Sequence, residues 1–122
     1  MPPKGKSDYR VRALQAVLDN DFPELPSYLD FPELPSYLKD ELQAFYAPLL
    51  GRDPHSLLGK ASNHRLRGIL QGFRAIDRIG DDESYRLVYR ILDKSAPRTV
   101  WIYSFAEHDL AYERAQLRRQ RR

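Results

Sequence analysis

Three β-rich runs joined by very short segments constrain the fold of this chain more than any other feature. The runs are FRAIDRI at 73–79, YRLVYRIL at 85–92 and TVWIYSF at 99–105. The segments between them contain the Gly, Asp, Ser and Pro residues that favour turns. Connections this short join antiparallel neighbours, because a parallel crossover needs roughly a dozen residues or more. The sequence therefore predicts a three-stranded antiparallel meander.

The segments before the meander predict one strand and a helical hairpin. Alternation of Tyr9, Val11 and Ala13 with arginines predicts a short edge strand. A short helix that starts near Ala16 has to end before Pro23, because proline cannot continue a helix. A longer helix is predicted to begin at Pro35 and Ser36, with the Ser36 hydroxyl as its cap. Its apolar stripe recurs every three or four residues and consists of Leu38, Leu42, Phe45 and Leu49.

Two further helices are predicted on either side of the meander. DPHSLLG predicts a short helix with Asp53 as its cap, Pro54 in its first turn and Gly59 at its end. EHDLAYERAQLRRQRR predicts a terminal helix with its apolar residues on or near one side. The predicted fold class is therefore α+β: an N-terminal strand, a helical hairpin, a three-stranded antiparallel meander and a C-terminal helix. A chain of 122 residues, 42% apolar, suits one domain, which we assign to 9–122 behind a flexible leader at 1–8.

The nonapeptide DFPELPSYL occurs twice in succession, at 21–38. Each copy contains two prolines, so neither copy can form a continuous helix. One copy is enough to join the two helices of the hairpin, and doubling the length of a surface loop costs only about 0.6 kcal/mol in closure entropy. We interpret the repeat as a tolerated duplication at the apex of the hairpin.

Composition and charge exclude several classes of protein. The chain has no cysteine, no apolar run of the roughly 20 residues that span a membrane, no glycine-rich phosphate loop and no His/carboxylate spacing typical of a metal site. The cytoplasm is the default location. The net charge is +3, and arginines crowd the last nine residues at Arg114, Arg118, Arg119, Arg121 and Arg122. These arginines are either a solvated helix end or a contact for nucleic acid or an acidic partner.

The parity of the strands indicates where an anion could bind. Arg86 and Arg90 share one face of YRLVYRIL, and Arg74 and Arg78 share one face of FRAIDRI. If these two faces coincide, four guanidinium groups line one side of the sheet and repel one another unless anions lie between them. Such a surface would suit phosphate.

Several of these segments resemble one family of proteins. HRLRG, GFRAIDRIGDDESYRLVYRI, TVWIYSF and EHDLAYERA resemble the RelE/ParE superfamily of toxins from bacterial toxin–antitoxin pairs, and the similarity covers roughly residues 9–120. The resemblance implies a small cytoplasmic toxin with the RelE/ParE-like fold and a cognate antitoxin that contributes an acidic and apolar segment. Many members cut messenger RNA on the ribosome without a metal or cofactor, using the RNA's own 2′-hydroxyl as nucleophile. Members of the ParE branch instead poison DNA gyrase, and a degenerate member would only bind its antitoxin.

The resemblance also implies the site residues. Arg86 occupies the family's "YR" position and would stabilise the charge on the scissile phosphate; alternatively, it pairs with the acidic turn at 81–83. His108 lies near a basic position of the family and could transfer a proton, provided that it shares a helix face with Tyr112, four residues on. Tyr112 matches the family's closing tyrosine and would stack on a base or orient the phosphate; the structural alternatives are a helix-start histidine and a core tyrosine.

The remaining arginines of the meander are expected to contact RNA. Arg74 and Arg78 match the strand that carries lysines and arginines in the nucleases, and Arg90 is a further phosphate-binding candidate. Asp77 departs from the family because a lysine is expected near its position. No role is assigned to His55 or His64.

Overall fold

The computed structural model describes residues 9–14, 17, 36–81, 83–94 and 96–119. The strands are β1 (Arg10–Ala13), β2 (His64–Arg65), β3 (Phe73–Ile79), β4 (Tyr85–Leu92) and β5 (Thr99–Glu107). The α-helices are α1 (Ser36–Glu41), α2 (Ala47–Arg52) and α3 (His108–Arg119), with a π-helical segment, Leu42–Tyr46, between α1 and α2. The strands form one sheet in the order β1-β5-β4-β3-β2. The leader, the helix predicted near Ala16 and most of the repeat lie outside the described residues.

The meander predicted from the sequence is confirmed as β3, β4 and β5, which pair antiparallel in succession. The predicted edge strand is also confirmed, since β1 pairs with β5 in parallel. Gly51 lets the chain at the start of β1 approach α2 closely. The Tyr9 amide donates a 2.6 Å hydrogen bond to the Gly51 carbonyl, and a Cβ at position 51 would lie 3.4 Å from the backbone carbonyl oxygen of Tyr9. Strand β2 was not predicted, because two residues are too few for a visible alternation.

The helical segment 36–52 covers one face of the sheet, with a shift in the predicted stripe. Leu38, Leu42 and Leu49 are buried as predicted, whereas Phe45 is 37% exposed. The π-helical turn inserts an extra residue into the stripe, so Tyr46 and Leu50 turn inward where an unbroken α-helix would present Phe45.

The short helix predicted at DPHSLLG is wrong, although its cap is present. Asp53 accepts hydrogen bonds from the backbone amides of Ser56, at 3.3 Å, and Leu58, at 3.1 Å. However, Leu57 and Leu58 both have a φ of 54°, which lies in the left-handed region and stops a right-handed helix. Only a 3₁₀ turn, Leu57–Gly59, forms.

The sheet separates two apolar clusters. The cluster beneath the helical segment includes Leu38, Leu50, Ile76, Tyr89 and Phe105. The opposite cluster lies beneath α3 and includes Phe73, Val88, Tyr103, Ala111 and Ala115. Two hydrogen bonds fix α3 on this face: Ser104 Oγ donates to the Ala111 carbonyl at 2.7 Å, and Arg118 Nη1 donates to the Tyr103 carbonyl at 2.8 Å. The terminal helix predicted from the sequence is confirmed, and it covers the face that bears Arg86.

Candidate active site

The strand register separates the arginines into two sets. Arg90 lies opposite Phe73 in the β3–β4 pair, and Arg74 lies opposite Tyr89. Directly paired residues share a face of the sheet, so Arg86 and Arg90 lie on the α3 face while Arg74 lies on the other. The surface of four arginines is therefore a wrong prediction.

Arg74 is held within the protein on the face away from α3. Its Nε donates to Asn63 Oδ1 at 2.8 Å, and its Nη2 donates to the His55 carbonyl at 3.1 Å. These bonds tie β3 to the loops that precede β2. Arg74 contributes to the positive wall of a groove described below, but it lies on the opposite side of the sheet from Arg86.

A β-bulge in β3 decides the position of Arg78. The register shifts by one residue between Ile76 and Ile79, so Asp77 and Arg78 together oppose Arg86. Arg78 is exposed and has a φ of 57°. The bulge thereby keeps Asp77 on the face of Arg86, and the pairing of β3 with β4 resumes at Ile79.

Arg86 is buried between a carboxylate and an aromatic ring. It is only 5% exposed, and its Nε donates to Asp77 Oδ1 in a short ion pair. The centre of its guanidinium lies 3.8 Å from the centroid of the Tyr112 ring, which is a close cation–π contact. The sequence did not identify Asp77 as the partner, because only the bulged register brings Asp77 opposite Arg86.

Tyr112 contributes its ring face to Arg86 and keeps its phenolic proton. Burial raises the pKa of Tyr112 and the negative charge of Asp77 raises it further, while the positive charge of Arg86 opposes both effects. Tyr112 is therefore neutral at physiological pH and can donate a hydrogen bond from its hydroxyl. It acts as a lid over the guanidinium rather than as a base.

His64 joins this cluster from β2. Its Nε2 lies 2.6 Å from Asp77 Oδ2, and its side chain is 47% exposed. Its Nδ1 lies 3.3 Å from the Arg65 carbonyl oxygen. Sequence analysis missed His64 because the contact depends on the pairing of His64 with Ala75, two residues before Asp77.

His108 is the first residue of α3. The helix therefore includes both His108 and Tyr112, and residues four apart lie on one helix face. The side chain of His108 lies outside the part of the molecule that the structure describes, so its role stays a prediction.

A surface groove of about 1010 Å³ lies beside this cluster. Its walls include His64, Arg65, Arg67, Phe73 and Arg74. Arg65 and Arg67 are exposed, and Arg90 places its guanidinium 5.8 Å from the ring of Phe73. The groove is positively charged, and His64 is the residue it shares with the Asp77–Arg86–Tyr112 cluster.

Two other features are absent from the part of the chain that the structure describes. Among residues 36–81, 83–94 and the other described ranges, no group of three or more His, Cys, Asp or Glu side chains could hold a metal ion. Within the same part of the chain, no helix combines the length and the apolar character needed to cross a membrane. The side chains of the Asp77–Arg86–Tyr112 cluster and His64 offer a buried cation, a carboxylate, a phenol and an exposed imidazole.

Comparison with solved structures identifies the fold. A chain of the toxin–antitoxin complex RelBE2 from Mycobacterium tuberculosis superposes with a TM-score of 0.56 at 25% identity, and the match covers 83% of this chain and 99% of that chain. The YoeB/ParE toxin from Agrobacterium tumefaciens superposes with a TM-score of 0.57 at 16% identity, over 81% of this chain and 98% of that chain. No protein-family model matches, and no curated protein matches significantly.

These likenesses define the class of protein. The chain has the α+β fold of RelE/YoeB/ParE toxins. The resemblance to the RelE/ParE superfamily drawn from the sequence is thereby confirmed.

Proposed function

We propose that this protein is the toxin of a toxin–antitoxin pair and acts in the cytoplasm as an endoribonuclease on ribosome-bound messenger RNA. The observation that carries the proposal is the position of Arg86, held between Asp77 and Tyr112. The toxin fold supports the class of protein, and this cluster supports the chemistry. Arg86, Tyr112 and His108 remain the proposed catalytic residues.

Cleavage would proceed by attack of the RNA's 2′-hydroxyl on the adjacent phosphate, which forms a 2′,3′-cyclic phosphate and breaks the bond from phosphorus to the 5′-oxygen of the next nucleotide. The attack places extra negative charge on the phosphate oxygens, and a fixed cation stabilises that charge most where water is excluded. Arg86 meets this requirement because it is 5% exposed. Tyr112 covers the guanidinium, so the phosphate would displace the ring and take over its contact with Arg86. His108 would transfer a proton, either from the attacking 2′-hydroxyl or to the leaving 5′-oxygen, since imidazole changes charge near neutral pH.

The proposal is tested by mapping transcript ends after induction in cells. New 5′ ends should appear on messenger RNA within minutes of induction of the wild-type protein and be absent with Arg86→Met, which removes the charge but keeps much of the side-chain volume. Arg10→Met, which replaces an exposed arginine on the edge strand β1, is the matched control and should cut like the wild type. No new ends, or ends unchanged by Arg86→Met, would refute nuclease activity.

The same cells distinguish the other two functions. Gyrase-dependent double-strand breaks and an SOS response, without new RNA ends, would assign the protein to the gyrase poisons. Harmless expression without a partner would assign it to antitoxin-binding modules that lack catalysis. Each outcome excludes the endoribonuclease proposal.

The proposed partner is an antitoxin with an acidic and apolar segment. The RelBE2 structure is a toxin–antitoxin complex, which supports a partner of this kind. In this chain Leu117 of α3 is 66% exposed and Ile69 is 58% exposed, and α3 contacts the 3₁₀ turn that contains Ile69. A small protein encoded beside this gene should restore growth when co-expressed, and Leu117→Ser should weaken that rescue. Rescue that is indifferent to Leu117→Ser would place the antitoxin elsewhere.

A further inference from the structure

We infer that His64 is the phosphate-binding residue through which RNA first reaches this site, and that it binds RNA more tightly when its imidazole is protonated. The inference rests on the proposed function for its ligand, a single-stranded RNA phosphate. It assigns a role to a residue for which neither the sequence pattern nor the resemblance provided one.

Accessibility favours His64 as the first contact. The Arg86 side chain is 6% exposed, whereas the His64 side chain is 47% exposed. His64 also borders the groove, whose exposed Arg65 and Arg67 would hold neighbouring phosphates of the same strand. A phosphate that moves along the groove therefore meets His64 before it can reach Arg86.

The charge of the cluster explains the dependence on protonation. Asp77 and Arg86 cancel each other, so the pair together with a neutral His64 carries no net charge. Protonation of His64 gives the three side chains a net charge of +1, which attracts an anion. Imidazole is the side chain that ordinarily makes this change between about pH 5 and 8. His64 thus supplies a positive charge that the Asp77–Arg86 pair cannot offer while both partners are ionised.

The groups around His64 support this reading. Both ring nitrogens face oxygen atoms, Asp77 Oδ2 at 2.6 Å and the Arg65 carbonyl at 3.3 Å, so both N–H groups of an imidazolium would have acceptors, and His64 would attract the phosphate by its charge rather than by a free N–H donor. Charged and titratable side chains from several elements lie near His64. Arg65 and Arg67 follow it in the chain, Arg74 and Asp77 belong to β3, Arg86 to β4 and Tyr112 to α3, and His55 and Asp93 lie on the far side of the groove. Asp93 does not change charge in this range, because its hydrogen bond from Tyr9 lowers its pKa despite the opposing effect of burial.

The experiment measures RNA affinity against pH with an oligonucleotide that cannot be cut. A fluorescent single-stranded RNA in which a 2′-O-methyl group replaces the 2′-hydroxyl at each position is titrated with protein, and the Kd is read by anisotropy. For the wild type, affinity at about pH 5.5 should exceed affinity at about pH 8 by about fivefold, the effect of one unit charge beside a phosphate in water-like surroundings.

Three variants separate charge from structure. His64→Gln keeps an N–H donor for Asp77 but cannot be protonated, so its affinity should stay at the wild type's weaker, high-pH value throughout. His64→Arg carries a fixed charge, so its affinity should stay at the tighter value throughout. Arg10→Gln is the control for a substitution outside the groove, because Arg10 is an exposed residue of β1. It should keep the wild-type dependence of affinity on pH, since it leaves His64 and the lining of the groove unchanged.

The outcomes are distinguishable from failure of the proposed function. Affinity of the wild type that does not change with pH, or a pH dependence that persists in His64→Gln, would overturn the inference even if the protein cuts RNA in cells. A wild-type protein that does not bind the oligonucleotide at all would also overturn it. Conversely, the expected pattern of affinities without new transcript ends would leave His64 as an RNA-binding residue and refute the nuclease.

Discussion

Removal of Asp77 should destabilise the protein far more than removal of Arg86, although the two form one ion pair. Asp77→Ala leaves a guanidinium that is 94% buried without that carboxylate. The Asp77 side chain itself is 30% exposed. Removal of one partner from a fully buried ion pair costs about 3–5 kcal/mol of unfolding free energy. Because Asp77 is partly exposed, water can enter the space that its side chain leaves, so we expect Asp77→Ala to cost about 2 kcal/mol. Arg86→Met leaves a carboxylate that water and His64 can still solvate, so its cost should stay below about 1 kcal/mol.

The double variant completes a double-mutant cycle, which isolates the interaction free energy between Asp77 and Arg86. In Asp77→Ala/Arg86→Met neither charge of this pair remains, so Asp77→Ala should cost close to nothing in the Arg86→Met background, and the coupling should be about 2 kcal/mol. Urea unfolding at neutral pH measures each free energy of unfolding, with equal m-values as the check on two-state behaviour. Asp77→Ala should also lower Tm by about 8 °C. Equal costs for the two single variants, or additive costs in the double variant, would refute the assignment of Arg86 as a buried cation compensated by Asp77.

Three further predictions test the fold around the site. Gly80→Ala should cost about 1–2 kcal/mol of unfolding free energy. Gly80 has a φ of 95°, and a Cβ there would lie 3.3 Å from the Tyr37 hydroxyl and 3.3 Å from Tyr85 Cδ1. Gly72→Ala is the control and should cost less, because Gly72 has the same φ but open space around it. Ser104→Ala should cost about 1 kcal/mol in urea unfolding, since it removes a buried hydrogen bond to the Ala111 carbonyl, and an unchanged midpoint would mean that this bond does not hold α3. Burial raises the pKa of Tyr46 and of Tyr89 to about 12, so the folded state holds both phenolic protons more strongly than the unfolded state. The contribution of the two protonated tyrosines to stability is complete below about pH 10 and is lost as the pH rises toward 12. Urea midpoints that stay constant between these pH values would contradict this prediction.

The layout of the fold could be predicted from the sequence because local signals decide it. Alternating residues and turn residues define β3, β4 and β5, and the spacing of Leu110, Ala111 and Leu117 defines α3. Local signals also fail in identifiable places. The π-helical turn at Leu42–Tyr46 has no distinctive pattern, and it moved Phe45 to the surface.

The arrangement of the site depends on register, which the sequence did not reveal. Whether Arg74 and Arg86 share a face is decided by the length of the turn between β3 and β4 and by the bulge at Asp77, and a change of one residue in register reverses every side chain. The contact of His64 with Asp77 depends on a strand of two residues. Arg86 and Tyr112 were identified through resemblance, and the structure adds that they are in contact.

The most direct test of the central claim is cleavage of a labelled messenger RNA in a reconstituted translation reaction. With programmed ribosomes, the wild-type protein should cut the RNA without added protein cofactors, and Arg86→Met, at equal folded concentration by circular dichroism, should leave it intact. Intact RNA with the wild-type protein, or equal cutting by Arg86→Met, would contradict the account of Arg86 as the cation that stabilises the scissile phosphate.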